Sequence, residues 1–161
     1  MSPLLGCAGY QIGNQSLYRP DIVTVAVPVF QSESLRRFLG ERLTEAVVKE
    51  IELKTPYKVT QAANADSTLV GRLIEDSKFV ITENANDEPR DIELELFVEI
   101  DWRDRQGNQL LHQQVALPTA LTSVGQAVHF VPEGGQSLVT AQQDAIRKLA
   151  EQIVARMEVP W

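Results

Sequence analysis

Residues 91–103 read Asp91-Ile92-Glu93-Leu94-Glu95-Leu96-Phe97-Val98-Glu99-Ile100-Asp101-Trp102-Arg103. Ile92, Leu94, Leu96, Val98, Ile100 and Trp102 fall on one side of a period-two pattern. Asp91, Glu93, Glu95, Phe97, Glu99 and Asp101 fall on the other. Successive side chains of a strand point to opposite faces of the sheet, so this stretch predicts a half-buried strand. Something must cover its apolar face.

Working outward, Asp104 to Asn108 reads as a hairpin loop in which Gly107 can take positive φ. Gln109 to Leu117 is expected to return antiparallel, and Pro118 to end that strand. Upstream, Asn84 to Pro89 has turn chemistry, and Thr68 to Ile74 opens a strand that can run on to Ile81. Tyr57 to Thr60 is a short strand candidate, and Ala62 to Asp66 a connector. Ile22 to Phe30 is β-branched and nearly all apolar, which predicts a strand buried on both faces or a central one. It should loosen at Pro28, which has no ladder donor.

Two helices supply the cover. Ser32 is a candidate N-cap, after which Leu35, Phe38, Leu39, Leu43, Ala46, Val47 and Ile51 recur on one helical face until Thr55-Pro56. Gly40 costs that helix about 1 kcal/mol relative to Ala. Ser137 can cap a last helix whose buried side is Leu138, Ala145, Ile146, Leu149, Ala150, Ile153 and Met157. Thr119 to Gly135 shows no clear periodicity and reads as a long loop. The expected fold is α+β: a mixed, mostly antiparallel sheet of about four to five strands with two helices packed on one face. Residues 1–21 read as an N-terminal tether and 22–161 as one domain.

Composition narrows the function. A net charge of −7 over 161 residues argues against general nucleic-acid binding, which needs a basic face. One cysteine excludes an intrachain disulfide and a cysteine-based metal cluster. His112 and His129 stand far apart without companion ligands, so no metal or cofactor site is expected. Asp66 with Ser67, or Glu75 with Asp76, are adjacent residues that a strand sends to opposite faces, and no nucleophile–base–orienter set is visible. The chain reads as a binding protein without catalytic residues.

Leu4-Leu5-Gly6-Cys7 resembles the lipobox of bacterial lipoproteins, with Cys7 as the acylated residue; the other reading is a free thiol on a polar tail. Ala8 after the cysteine, rather than Asp, resembles lipoproteins sent on to the outer membrane. One acyl chain binds a bilayer only reversibly, so a stable anchor needs several.

Taken in order, Cys7-Ala8-Gly9-Tyr10, the strand Ile22–Phe30, the helix with Leu35, Leu39 and Leu43, the run Ala65-Asp66-Ser67-Thr68-Leu69-Val70-Gly71-Arg72-Leu73 and the closing helix Asp144–Val154 resemble the LPS-assembly lipoprotein family LptE. The resemblance implies a lipid-anchored, periplasm-facing protein at the outer membrane. It implies no catalysis, a plug for the LptD-type β-barrel, help with that barrel's assembly, and delivery of lipopolysaccharide to the cell surface. A plug should expose polar, ordered strands and loops. Lipopolysaccharide carries phosphates, so Arg72, Lys78, Arg90, Arg103 and Arg105 are the candidate lipopolysaccharide or partner contacts. The acidic stripe Glu93, Glu95, Glu99 and Asp101 either meets a basic lumen wall or is a solvated face balanced by Arg72 and Lys78. The alternative function is another periplasmic lipoprotein adapter, resembling a cell-wall synthase activator or the N-terminal domain of TolB.

Overall fold

The computed structural model describes residues 17–34, 36, 38–83, 89–111, 122–132, 135 and 137–159. Cys7, the tether before Leu17, Leu35, the turn at 84–88 and most of the expected return strand (112–117) lie outside the described residues. The elements are β1 (Thr24–Ala26), β2 (Gln31–Ser32), α1 (Leu39–Lys54), β3 (Lys58–Val59), a 3-10 turn at Ala62–Asn64, β4 (Ser67–Glu83), β5 (Pro89–Asp104), β6 (Thr122–Phe130) and α2 (Leu138–Ala155). The sheet runs β3-β1-β4-β5-β6, with β2 also lying against β4. β1, β2 and β3 join in parallel, whereas β4, β5 and β6 are antiparallel. Both helices cover one face, α1 against α2 and α2 over β5 and β6.

The alternation in 91–103 is realised in full. Ile92, Leu94, Leu96, Val98, Ile100 and Trp102 are all buried beneath the helices. At roughly 1.5–3 kcal/mol for each fully buried aliphatic side chain, this one strand is a main source of the apolar free energy. Ser137 caps α2 as expected, its hydroxyl accepting from the Thr140 N–H at 3.1 Å. Gly107 takes φ +86° in the 104–108 loop.

Three expectations need correction. The segment 22–30 is not one continuous strand: only Thr24–Ala26 pairs, and Val23 and Val29 are exposed, but β1 lies between β3 and β4 and its consecutive residues Val25 and Ala26 are both buried, as expected of a central strand. The first helix starts at Leu39, not after Ser32. Gln31 and Ser32 pair with Arg72 and Leu73, and the Glu33 N–H donates to the Leu73 carbonyl at 3.1 Å, so this segment is held as sheet. Phe38 then turns the chain with φ +62° and stays exposed rather than joining the apolar stripe.

The third correction concerns Thr119 to Gly135, which is not a long loop: Thr122–Phe130 is strand β6, paired with β5 from Ile92 to Ile100. Its alternation was masked by two residues. Gln126 occupies an inward position opposite Leu96, where its Oε1 accepts from Gln152 of α2. Gly125 replaces a side chain on the outer face because the Phe97 ring fills that space; a Cβ there would lie 2.5 Å from Phe97 Cε1. Gly40 is likewise a packing requirement, since a Cβ would sit 2.3 Å from the Phe30 carbonyl oxygen.

Candidate functional site

With both helices on one side, no helix among the described residues covers the other sheet face, and β5 supplies most of its charge. Asp91, Glu93, Glu95, Phe97, Glu99 and Asp101 are all half-buried there, bordered by Ser123, Gly125, Ala127 and His129 of β6. The carboxylates have neighbours. Arg103 Nε meets Asp101 at 2.7 Å, and His129 lies 3.6 Å from Asp91 and 3.7 Å from Glu93. Arg72 stands opposite Glu99 in the ladder and bonds Glu33.

Lys78 does not join this balance. A bulge between Leu73 and Glu75 shifts the β4 register by one residue, and a one-residue shift moves every later side chain to the other face. Lys78 thus pairs with Leu94, on the helix side of the sheet, while Arg72 is on the uncovered side. The strict alternation assumed from sequence would have put both on the same side.

The five basic candidates therefore do not form one patch. Arg72 and Arg103 share the uncovered face but are separated by four ladder positions, roughly 13 Å. Each is already paired with a carboxylate. Arg105 is at the hairpin end, where Nε donates to the Ala65 carbonyl at 2.6 Å, Nη2 donates to Asn64 at 3.1 Å, and Asp66 lies 3.4 Å away. The side chain of Arg90 lies outside the described residues.

The run Ala65–Leu73 turns out to be a packing motif. Asp66 Oδ2 accepts from the N–H groups of Val23 (3.2 Å) and Thr24 (3.0 Å) and from the Thr24 hydroxyl (2.8 Å), fastening β1 to the start of β4. The Thr24 hydroxyl, followed by the two N–H groups, holds the Asp66 carboxyl below its ordinary pKa. Ser67 Oγ accepts from Trp102 Nε1 at 2.9 Å, Leu69 and Leu73 enter the core, and Gly71 makes room for the Phe30 ring.

Near the same end, Tyr18 packs edge-on against Tyr57 at 5.6 Å, and Tyr57 against Trp102 at 5.8 Å. The Tyr57 hydroxyl accepts from the Arg19 N–H, and burial pushes its pKa up to about 12. The Val159 N–H donates to the Leu17 carbonyl, so the chain enters the domain beside the point where α2 leaves it.

Among the described residues no group of His, Cys, Asp and Glu is arranged to hold a metal ion. No described helix is long and apolar enough to cross a membrane. Charged strands with paired side chains, resting on a tightly packed core, define a small α+β domain.

Comparison with known proteins takes this further. The profile of the LptE family, described as "Lipopolysaccharide-assembly", matches residues 22–157, and the chain belongs to that family. Membership makes it a non-enzymatic lipoprotein, lipid-anchored at the outer membrane and facing the periplasm. No curated protein matches the chain. Solved structures share its fold at low identity. A PelC dodecamer from Paraburkholderia phytofirmans is 12 % identical with a TM-score of 0.56, over 94 % of this chain and 96 % of that one. A hypothetical protein from Chlamydia trachomatis is 11 % identical with a TM-score of 0.57, over 84 % and 95 %. The uncharacterized lipoprotein B from Nitrosomonas europaea is 15 % identical with a TM-score of 0.52, over 91 % of each chain.

Proposed function

We propose that this protein plugs an LptD-type outer-membrane β-barrel, assists its assembly, and so serves the transport of lipopolysaccharide to the cell surface. The observation that carries the reading is the family match across residues 22–157. Two features of the molecule support it. Among the described residues no helix covers the charged face of the sheet, and a plug works by shape and polar contact rather than by chemistry. The surface carboxylates and guanidinium groups are mostly held in pairs, which gives a lumen wall a fixed pattern to match.

In this reading Cys7 carries the lipid, residues 1–21 are the tether, and residues 22–161 are the plug. Arg72 and Arg103 are the contacts on the uncovered face, each exchanging its carboxylate partner for a phosphate or a polar group of the barrel. Lys78 lies on the helix side of the sheet and Arg105 at the hairpin end, so in this reading they serve other contacts. The acidic stripe faces basic groups of the lumen.

The test is affinity purification of the full chain from its own outer membrane. Recovery of a large β-barrel supports the proposal. Recovery instead of a cell-wall synthase or a Pal-like protein would show an adapter of the other kind. Metabolic labelling with palmitate tests the anchor: label should be lost in Cys7→Ser, and label that persists refutes Cys7 as the site.

A further inference from the structure

The segment that enters α1 is strapped to β4 by a set of polar bonds. Gln31 and Ser32 pair with Arg72 and Leu73, the Glu33 N–H donates to the Leu73 carbonyl at 3.1 Å, and the Glu33 carboxylate bonds Arg72. Further along, the Asp76 carboxylate takes the Ser34 hydroxyl at 2.7 Å and Arg36 Nε at 3.0 Å. Asp76 can do so because the bulge at Leu73/Glu75 turns it to the helix side, opposite Leu96, where its side chain is only 3 % exposed. The strap ends at Phe38 with φ +62°, a left-handed conformation that a bulky residue adopts only under constraint, and the Phe38 residue is 66 % exposed.

The same residues fit one more turn of α1. Phe38, at the helix start, supplies no side-chain cap. Ser34 is already set as one: its hydroxyl accepts from the Arg36 N–H at 3.1 Å, as an N-cap serine accepts from the second helical N–H. The two helices run in the same direction, with Arg42 donating to Gln143 at 2.8 Å and Lys54 interacting with Glu151. Residues four apart share a helix face, so Phe38 in a longer α1 would stand opposite Val139, which is 65 % exposed. Each would cover the other. Against this stands the Asp76 latch, and it is incompletely satisfied: Asp76 Oδ1 and Arg36 Nη1 are buried without a hydrogen-bond partner among the described residues. We propose that this strap is a two-state device. Latched on Asp76, it keeps Glu33 on Arg72; released, it winds into a further turn of α1, capped by Ser34, and frees Arg72.

The consequence for binding rests on the barrel reading above, in which Arg72 is a contact. An anionic side chain of the barrel can take Arg72 only in exchange for Glu33. Such a group therefore favours the released strap, and release of the strap tightens its binding by the same factor. Arg103 lacks this control, because its carboxylate partner Asp101 lies two residues away in the same strand. Of the two arginines on that face, Arg72 is the one masked by a segment that can leave.

The experiment reads amide hydrogen exchange and Cα chemical shifts by NMR on the full, lipid-anchored chain in detergent micelles. Asp76→Asn should speed exchange at the Glu33 amide by about tenfold and move residues 36 and 38 to helical shifts, while the β5 amides keep their protection. Phe38→Gly fits the left-handed conformation and weakens a helix, so it should slow Glu33 exchange by about fivefold. Faster exchange in Asp76→Asn without helical shifts is simple fraying and overturns the device. So does loss of β5 protection in that variant, which makes Asp76 a support of the whole fold, and so does Phe38→Gly with exchange unchanged or faster. In parallel, Asp76→Asn should raise the barrel co-purified from cells by about fivefold. Helical shifts with unchanged barrel recovery overturn the masking of Arg72. Recovery of no barrel from the parent or any variant, with the shifts as expected, overturns the barrel reading and leaves the strap standing.

Discussion

Replacing Gly71 with Ala should destabilise the protein through one identified contact. A Cβ built on Gly71 lies 2.4 Å from Cδ2 and Cε2 of Phe30 and 2.7 Å from its Cγ. Carbon atoms rest at about 3.5–4.0 Å, so the ring must retreat by roughly 1 Å. Little room exists for it. The Phe30 N–H donates to Thr44 Oγ1 at 2.8 Å, its carbonyl is closely packed against Gly40, and its side chain is buried. Overpacking of this kind costs about 1–3 kcal/mol, partly offset by about 0.5–1 kcal/mol because Gly is the poorer residue within a strand. The net loss is on the order of 1–2 kcal/mol, a fall in Tm of roughly 2–8 °C for a chain of this size. Thermal and urea melts followed by circular dichroism measure it. A second substitution, Phe30→Leu, removes the clashing ring atoms, so the double variant should be more stable than the sum of the single effects by about 0.5–3 kcal/mol. A Gly71→Ala protein as stable as the parent, or strict additivity in the double variant, would refute the packing argument.

Other expectations follow from the same end of the sheet. Ser67→Ala leaves the buried Trp102 Nε1–H without its acceptor and should cost about 1–3 kcal/mol in urea melts, with little change in Ser67→Thr if the hydroxyl is kept in place. Because burial raises the Tyr57 pKa from 10.0 to about 12, the unfolded chain releases that proton first. Its stabilising contribution is full below pH 10 and is lost as pH rises toward 12, so Tyr57→Phe should flatten alkaline melting curves; Tyr18, also raised by burial, retains part of the slope. Asp66 has the opposite sign. Its pKa is lowered from 3.8, so its contribution is present above that value and disappears as pH falls through the depressed one. Asp66→Asn should lower stability at neutral pH and remove part of the acid dependence, as read from melts between pH 2 and pH 7.

How much of this was legible beforehand depended on whether each residue's reason lay in its own strand. β5 could be read completely because its alternation is unbroken and one face is core. α2 could be read because its cap and its stripe are local. β6 was hidden: Gly125 is there for Phe97 of another strand, and Gln126 faces inward only because Gln152 meets it. The first turn of the expected α1 failed for a similar reason, since Gln31 and Ser32 are taken by β4. The candidate contacts suffered most. Arg72 and Lys78 looked equivalent until a bulge at Leu73/Glu75 sent them to opposite faces, and Arg105 looked free until its bonds to Ala65, Asn64 and Asp66 were seen. Bulges and cross-strand clamps depend on pairing, and pairing is not written in the local pattern.

The most direct test of the account is depletion of this protein from its own cell, with surface lipopolysaccharide and the heat-stable folded form of the barrel measured together. The account predicts that both decline and that both return when the lipid-anchored chain is resupplied. Normal surface lipopolysaccharide and a fully folded barrel in depleted cells would contradict it.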